Sequence, residues 1–433
     1  MKLIIIFTLL IFKTNVIFAA EFLTYLESAY KNNPTLNAER ENYKAIKENI
    51  NIAISEFLPS VSISGSQSSQ QDSNRTNRAG ATLPDASNTS KTQSVSVDQK
   101  IFQGFQGYNS VKKSKLESKQ AALKLKNIEQ QILLKSATVY YDLIYKTKNT
   151  QFNLANVDLF ERQVETDSSR LQKGEITLTD LAQSESSLAG ANANFIEAKT
   201  ELLAAKSNFE RIIRLPAPEK FTKNNLKKNV NLNFPTGLNK ALSFSEKNNP
   251  KLLLVKLDYE ISEKNVNIEK SKFSPSASVN YKQSQSKDFS SSIDKIDQES
   301  IQATVTIPIF KGGKNYSSLK KAKFKKKQNS LILQDTVNEV KTDTANSWSA
   351  YQSSESVLKA TQAQVKAAEI ANEGITLEYD SGNTRTTLEV IQSRSLLLEA
   401  RISHAVAERN FAISKFELLA VIGELTLENL KKT

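Results

Sequence analysis

Two kinds of pattern alternate along this chain. From Tyr108 to Lys173 no Gly or Pro occurs, and Leu125, Ile128, Ile132, Val139 and Leu143 recur at three- and four-residue spacing. That is the period of an amphipathic helix, and at about 1.5 Å per residue it predicts roughly 90–100 Å of helix, with fraying near Lys148-Asn149. Gly174 turns the chain, and an Ala- and Ser-rich helix over Leu181–Ile213 runs back, ending at Leu215-Pro-Ala-Pro218. A second pair follows later: an uninterrupted tract from Lys314 to Glu373, a turn at Gly382, and a return to Ile422 with Gly423 as the stop. Between the helices the period drops to two. Val61 and Ile63 alternate with serines, Val95-Ser-Val-Asp98 resumes the alternation, and Ile301, Ala303, Val305, Ile307 and Ile309 face away from Gln302, Thr304 and Thr306. These are half-apolar strands. The polar stretches 67–91 and 284–299 are expected to be surface loops.

The same features then repeat in order. Asn32-Asn-Pro34 returns as Asn248-Asn-Pro250, and Phe57-Leu-Pro-Ser-Val-Ser-Ile63 as Phe273-Ser-Pro-Ser-Ala-Ser-Val279. Ile101-Phe-Gln-Gly104 returns as Ile309-Phe-Lys-Gly312, and Gly174 as Gly382. A unit of about 200 residues is duplicated, far longer than a solenoid repeat. The division expected is a leader over 1–20, a first repeat over 21–230 and a second over 231–433. The first holds strands near 57–66 and 92–102 and a helical hairpin near 108–213; the second holds strands near 274–284 and 300–310 and a hairpin near 314–422. Prolines are missing from the helical tracts, where each costs about 3 kcal/mol. Pro59, Pro275 and Pro308 sit at strand ends, where a missing N–H is tolerated.

Composition narrows the function classes. The chain has 433 residues, no Cys, one His and a formal net charge of +12. Without Cys there is no zinc finger, disulfide scaffold or thiol nucleophile, and a lone His404 in a helical run makes no metal cluster. No nucleophile–base pair is apparent, so neither an enzyme nor a cofactor is expected. The basic excess is scattered among glutamates, and no nucleic-acid-binding pattern accompanies it. Its one dense run, Lys320-Lys-Ala-Lys-Phe-Lys-Lys-Lys327, fits either a solvated helix face or contact with anionic lipid head groups. At the start, Met1-Lys2, an apolar run over Leu3–Phe12 and Phe18-Ala19-Ala20 read as a secretory leader. Phe18 is an unfavourable residue three before the cut.

Alternating strands of this kind suit a membrane barrel, apolar side to lipid and polar side inward. Four strands do not close a barrel, for which about eight are needed, and open edges are not viable in hydrocarbon. Several chains would therefore share one barrel; three would supply twelve strands. Along the last helix Leu388, Ile391, Leu398, Ile402, Ala405, Ala412, Phe416 and Leu419 mark a narrow stripe, closer to coiled-coil packing than to burial in a globular core.

These motifs, with Val97-Asp-Gln-Lys-Ile-Phe-Gln-Gly104, Ser136-Ala-Thr-Val-Tyr-Tyr-Asp142, Gly174-Glu-Ile-Thr-Leu-Thr-Asp180, Ile307-Pro-Ile-Phe-Lys-Gly-Gly313 and Gly382-Asn-Thr-Arg-Thr-Thr-Leu-Glu389, resemble those of the TolC-type outer-membrane channel proteins. The resemblance covers nearly all of the chain beyond the leader. It implies a mostly α homotrimer with a membrane β part: a twelve-stranded β-barrel in the outer membrane, continued by a twelve-helix α-barrel across the periplasm. The stretch 215–237 and the tail after Gly423 would form an equatorial belt. The partners implied are a periplasmic adaptor, an inner-membrane ABC or proton-driven transporter, and outer-membrane lipid. The function implied is a passive exit duct for type I protein secretion, drug efflux, or both.

The resemblance also implies a gate at the periplasmic tip. Asp180, six residues after Gly174, would engage Tyr379 and Arg385, which flank Gly382. Glu389 would stand in an acidic ring at the constriction if one residue is inserted after Gly382; Gln392 falls where a second carboxylate is often found, leaving one ring of three charges. From the residues alone, Asp180 and Arg385 are also compatible with plain turn positions, and Glu389 with a solvated helix. The competing function is a periplasmic coiled-coil adaptor without a pore, against which the duplicated strand pairs argue.

Overall fold

A computed structural model describes residues 17–218, 234–290, 293–381 and 385–431. The expected leader is outside them up to residue 16, as are most of the inter-repeat stretch and Gly382 of the second turn. Helices α1 (Ile17–Asn32) and α2 (Pro34–Ser55) precede strands β1 (Ser60–Asp72), β2 (Arg75–Thr76), β3 (Thr82–Leu83) and β4 (Ala86–Gln103). The hairpin α3 (Gln106–Gln172) and α4 (Leu178–Ile213) follows. The second half has α5 (Leu238–Asn248), α6 (Pro250–Ser271), β5 (Ser276–Ser290), β6 (Ile293–Thr306), α7 (Lys314–Asp380), α8 (Thr387–Val421) and the short α9 (Leu427–Lys431). Helix α3 is continuous through Lys148-Asn149, where fraying was expected; Asn149 is buried, and its carbonyl accepts from Asn153 Nδ2 at 2.8 Å.

The compact units cut across the two sequence repeats. One comprises 42–122 and 254–334, the other the remainder, so each takes a segment from both repeats.

The first unit carries a four-stranded antiparallel sheet in the order β1-β4-β5-β6. Its register explains the alternation. Val61, Val97, Tyr281 and Ile301 stand side by side across the four strands. On the other face the matching rows are polar, such as Ser62, Ser96, Lys282 and Ser300. Side chains stitch that face: Ser62 to Ser96 at 2.8 Å, Ser64 to Ser94 at 2.9 Å, Asn280 to Asp98 at 2.7 Å. The apolar face is bare, with Ile63 81 % and Ile301 75 % exposed. The expected loops are corrected here. The stretch 284–299 is almost all strand, and 67–91 narrows to a short tip, because Ser, Thr and Gln pair across the ladder as readily as they would loop. Gly104, with φ +59°, follows β4, and a Cβ there would run into Ser274 and the Ser271 carbonyl; Gly312 of the second motif shares the left-handed conformation, with φ +55°, which is what the glycine of Ile-Phe-x-Gly supplies.

The second unit is helical. Its core gathers Leu26 of α1, Leu133 and Leu143 of α3, Phe209 and Ile213 of α4, and Leu418 and Ile422 at the end of α8, all at most 1 % exposed. Phe22, Tyr140 and Phe416 pack ring to ring within it, at centroid distances of 4.7 and 5.9 Å. The repeated Asn-Asn-Pro motifs act here as staples. Asn33 Oδ1 caps α2 by accepting from Thr35 N at 3.0 Å, while its Nδ2 donates to the Ile212 carbonyl at the end of α4. Asn249 repeats this on α6, accepting from Leu252 N at 3.0 Å and donating to Val421 O at 2.7 Å. In each case Pro takes the first helical position, where its missing N–H costs nothing. The seam along α8 differs from the expected stripe. Val390, Ser393, Leu397, Ala400 and Ala407 are buried, whereas Leu388 is 45 % exposed. Ala405, Phe416 and Leu419 of the expected stripe are buried, so the two agree towards the C-terminal end of α8 and part at its start.

Candidate functional site

The two hairpin turns are built alike. Thr177 and Thr386 are the N-caps of α4 and α8, with φ near −93° and −95° and extended ψ. Each forms a capping box with the acid three residues on. Asp180 Oδ2 accepts from Thr177 N at 2.9 Å and Oγ1 at 2.7 Å; Glu389 Oε2 accepts from Thr386 N at 2.8 Å and Oγ1 at 3.1 Å. Such a box satisfies helix N-terminal amides that would otherwise lack partners. Asp180 and Glu389 thus cap the two helices in the same way, although Glu389 stands one residue further from its turn glycine than Asp180 does from Gly174. Donors from Thr177 hold the Asp180 carboxyl below its ordinary range. Glu389 is lowered mainly by the Thr386 backbone, then by Arg385.

Within one chain the expected latch partners do not meet. Asp180 Oδ2 takes both of its hydrogen bonds from Thr177 in the same turn. Arg385 forks between Glu378 at 2.6 Å and Glu389 at 2.9 Å. Tyr379 is elsewhere: it is 4 % exposed, and its hydroxyl donates to Asp167 Oδ1 at 2.7 Å. Thr387 Oγ1 lies 3.1 Å away and Gln163 Nε2 donates to the phenol at 3.4 Å. Burial pushes the Tyr379 phenol up, and the adjoining carboxylate adds to this against Thr387. The Arg170 guanidinium covers its ring at 4.5 Å.

Asp167 is the centre of this hub. It is fully buried and also accepts from Ser184 Oγ at 2.5 Å and from Gln163 Nε2 at 2.9 and 3.0 Å. One carboxylate therefore joins α3, α4 and α7, and through Tyr379 reaches α8. Hydrogen bonds to a carboxylate are worth about 1.5–3 kcal/mol each, so this is the strongest polar tie near either turn. The motif reading missed Asp167, Gln163 and Ser184. A signal was present: Asn149, Asn153, Asn156, Phe160, Gln163 and Asp167 follow 4-3-4-3-4 spacing, a coiled-coil seam filled mostly with polar residues, and all are buried.

An amphipathic sheet with a bare apolar face, together with long helical hairpins tied near their turns by one buried carboxylate, is the make-up of a class of membrane channel proteins. The chain belongs to the outer membrane efflux protein family, whose pattern it matches over residues 25–213 and 241–424, one segment for each repeat. It is 26 % identical to the outer membrane efflux protein BepC of Brucella suis biovar 1, over 94 % of this chain and 86 % of that protein. It is 21 % identical to the outer membrane protein TolC of Escherichia coli, over 95 % and 84 %. Its fold resembles the Campylobacter jejuni CmeC outer membrane channel with a TM-score of 0.82 at 17 % identity, covering 95 % of this chain and 89 % of that one. The protein is accordingly an outer-membrane exit duct of an export system, with its helices in the periplasm.

Proposed function

We propose that three copies of the chain share one twelve-stranded barrel, and that their hairpins form a twelve-helix tunnel closed at the tip. The observation that carries this reading is the sheet itself: β1 and β6 each leave one edge unpaired, and the face between them is apolar. An open edge in hydrocarbon leaves backbone groups unsatisfied at several kcal/mol each, so other copies must pair with it. Apolar positions alternate along the end of β6 at Ile301, Ala303 and Val305, and exposed Ile307 and Ile309 continue them just past the strand; apolar positions of this kind form the lipid-facing band of outer-membrane barrels. Exposed Leu178, Ile196, Leu203, Leu377 and Leu396 on the hairpins offer further area for neighbouring copies. The mass of the complex extracted from outer membrane in detergent tests this: three chains are expected, and one or two would overturn it.

A periplasmic adaptor and an inner-membrane transporter complete the pathway in this reading, and the duct itself supplies no energy. The tip closes in two layers. Inside each chain the Asp167–Tyr379 hub holds the two hairpins together. Between chains, the remaining Asp180 oxygen accepts from a neighbour's Arg385. Glu389 lines the constriction, but with Arg385 beside it and Glu378 the set carries one net negative charge per chain, which predicts only weak cation preference.

A further inference from the structure

The first turns of α3 and α7 carry the same side chains at the same offset between repeats. Ile101, Phe102, Gly104 and Tyr108 correspond to Ile309, Phe310, Gly312 and Tyr316, and the register continues with Lys112, Lys115 and Lys119 opposite Lys320, Lys323 and Lys327. Each set reads Tyr-x3-Lys-x2-Lys-x3-Lys. At about 100° per residue these four positions fall within an arc of about 60°, so each helix bears one stripe with Tyr at the strand end and lysines below. All eight side chains are exposed, whereas Gly107, Ser114 and Ser118 occupy the buried side of α3.

Two observations say what the stripe faces. Tyr108 lines a small cavity of about 100 Å³ with Phe57, Ile101, Phe102 and Phe105, the exposed aromatic and aliphatic residues that close the strands. The lysines therefore begin where the apolar face of the sheet ends. In addition, among the described residues none of the six forms an ion pair within the chain, while their neighbours off the stripe do: Lys113 with Glu117 at 3.6 Å and Lys326 with Glu263 at 2.8 Å. Lys112 instead lies over the Tyr108 ring at 4.3 Å, which aims its ammonium group along the stripe towards the strand end.

We propose that the two Tyr–Lys stripes are a binding surface for anionic phospholipid head groups of the leaflet facing the periplasm. The aromatic residues sit at the boundary of the hydrocarbon, as interfacial aromatics do, and the ammonium groups meet phosphate just below it. Lysine is suited to this, since a flexible stem with a point charge follows mobile phosphates. Each lysine close to an anionic surface shifts partition several-fold, and the attraction is screened by salt. In the trimer proposed above, on which the count but not the contact depends, six stripes would ring the barrel.

The test uses the full channel in nanodiscs of phosphatidylcholine doped with a minority of phosphatidylglycerol. Native mass spectrometry reads the lipid retained on extraction and reports the assembly in the same spectrum. The variant replaces Lys112, Lys115, Lys119, Lys320, Lys323 and Lys327 with Gln; the control replaces Lys173, Lys199, Lys240, Lys247, Lys359 and Lys366. Wild type and control should retain phosphatidylglycerol several-fold above its bulk share, declining with salt, and the stripe variant should fall to the bulk share with its assembly intact. A stripe variant that keeps the enrichment, or a wild type without it, overturns the proposal. Loss of adaptor binding in place of loss of lipid would reassign the stripes to a protein partner and likewise overturn it. A wild type that conducts yet shows no enrichment refutes the lipid contact and leaves the exit-duct reading standing.

Discussion

Replacing Tyr379 with Phe removes one oxygen and keeps the ring that Arg170 covers at 4.5 Å. The lost hydroxyl is the shortest link from α7 to the buried Asp167, at 2.7 Å. Asp167 would still accept from Gln163 and Ser184, so no buried charge is orphaned. The cost is then that of one hydrogen bond to a carboxylate, about 1.5–3 kcal/mol per chain, which moves the local closed-to-open ratio by about one to two powers of ten. Single-channel recording in planar bilayers should show longer or larger openings for Tyr379→Phe than for wild type. Asp167→Asn makes every bond at the hub neutral and puts an NH2 donor where one accepting oxygen stood, so it should loosen the tip at least as much. Thr387→Val loses only the 3.1 Å contact and should lie closer to wild type. A Tyr379→Phe channel of normal assembly mass with unchanged currents would refute the hub as a tie that opening must break.

Adding Arg385→Ser to Tyr379→Phe should raise conductance further, since it removes the outer layer as well; currents equal to those of the single variant would confine the latch to the hub. Glu389→Ala should lower cation preference only slightly, because Arg385 already lies 2.9 Å from that carboxylate; a large shift in reversal potential would show that the arginine is elsewhere in the assembly. The carboxyls of Asp180 and Glu389 are held low by their caps, so the stability they contribute is present above their ordinary values and is lost as pH falls through the lowered ones. Amide exchange at Thr177 and Thr386, corrected for its intrinsic pH dependence, should therefore accelerate only in acid below the ordinary carboxylate range, and protection unchanged there would count against the capping account. Ile301→Lys puts a charge on the apolar face at a cost of about 2–4 kcal/mol near the bilayer midplane and should abolish assembled channel in the outer membrane, whereas Ser300→Lys on the opposite face should be tolerated; equal yields would place the lipid on the wrong side.

Much of the fold was legible because its determinants are local. The absence of Gly and Pro from Tyr108 to Lys173 marked α3, and the alternation at Ile301 to Ile309 separated apolar from polar positions before any register was known. Asn-Asn-Pro was readable as a helix stop. Its second task was not, because Asn33 and Asn249 bond the ends of helices more than 170 residues away. The polar stretch 284–299 looked like loop since Ser, Gln and Lys are ordinary loop residues; only the partner strands make them a ladder. At the tip, resemblance pointed to residues flanking the turns, and Asp180 and Glu389 do stand there as matched caps. The buried tie went unread because its parts come from α3, α4, α7 and α8, and no single stretch holds more than two of them. The polar seam that leads to Asp167 was visible in the spacing, yet a seam of apolar residues is what periodicity is used to find.

The central claim is that this chain forms a pore through the outer membrane, and current across a planar bilayer tests it most directly. Purified protein extracted from outer membrane should produce discrete, uniform steps of current, with larger openings in the Tyr379→Phe variant. A bilayer that stays silent with both proteins, when the same preparations remain soluble as single chains without detergent, would contradict the account.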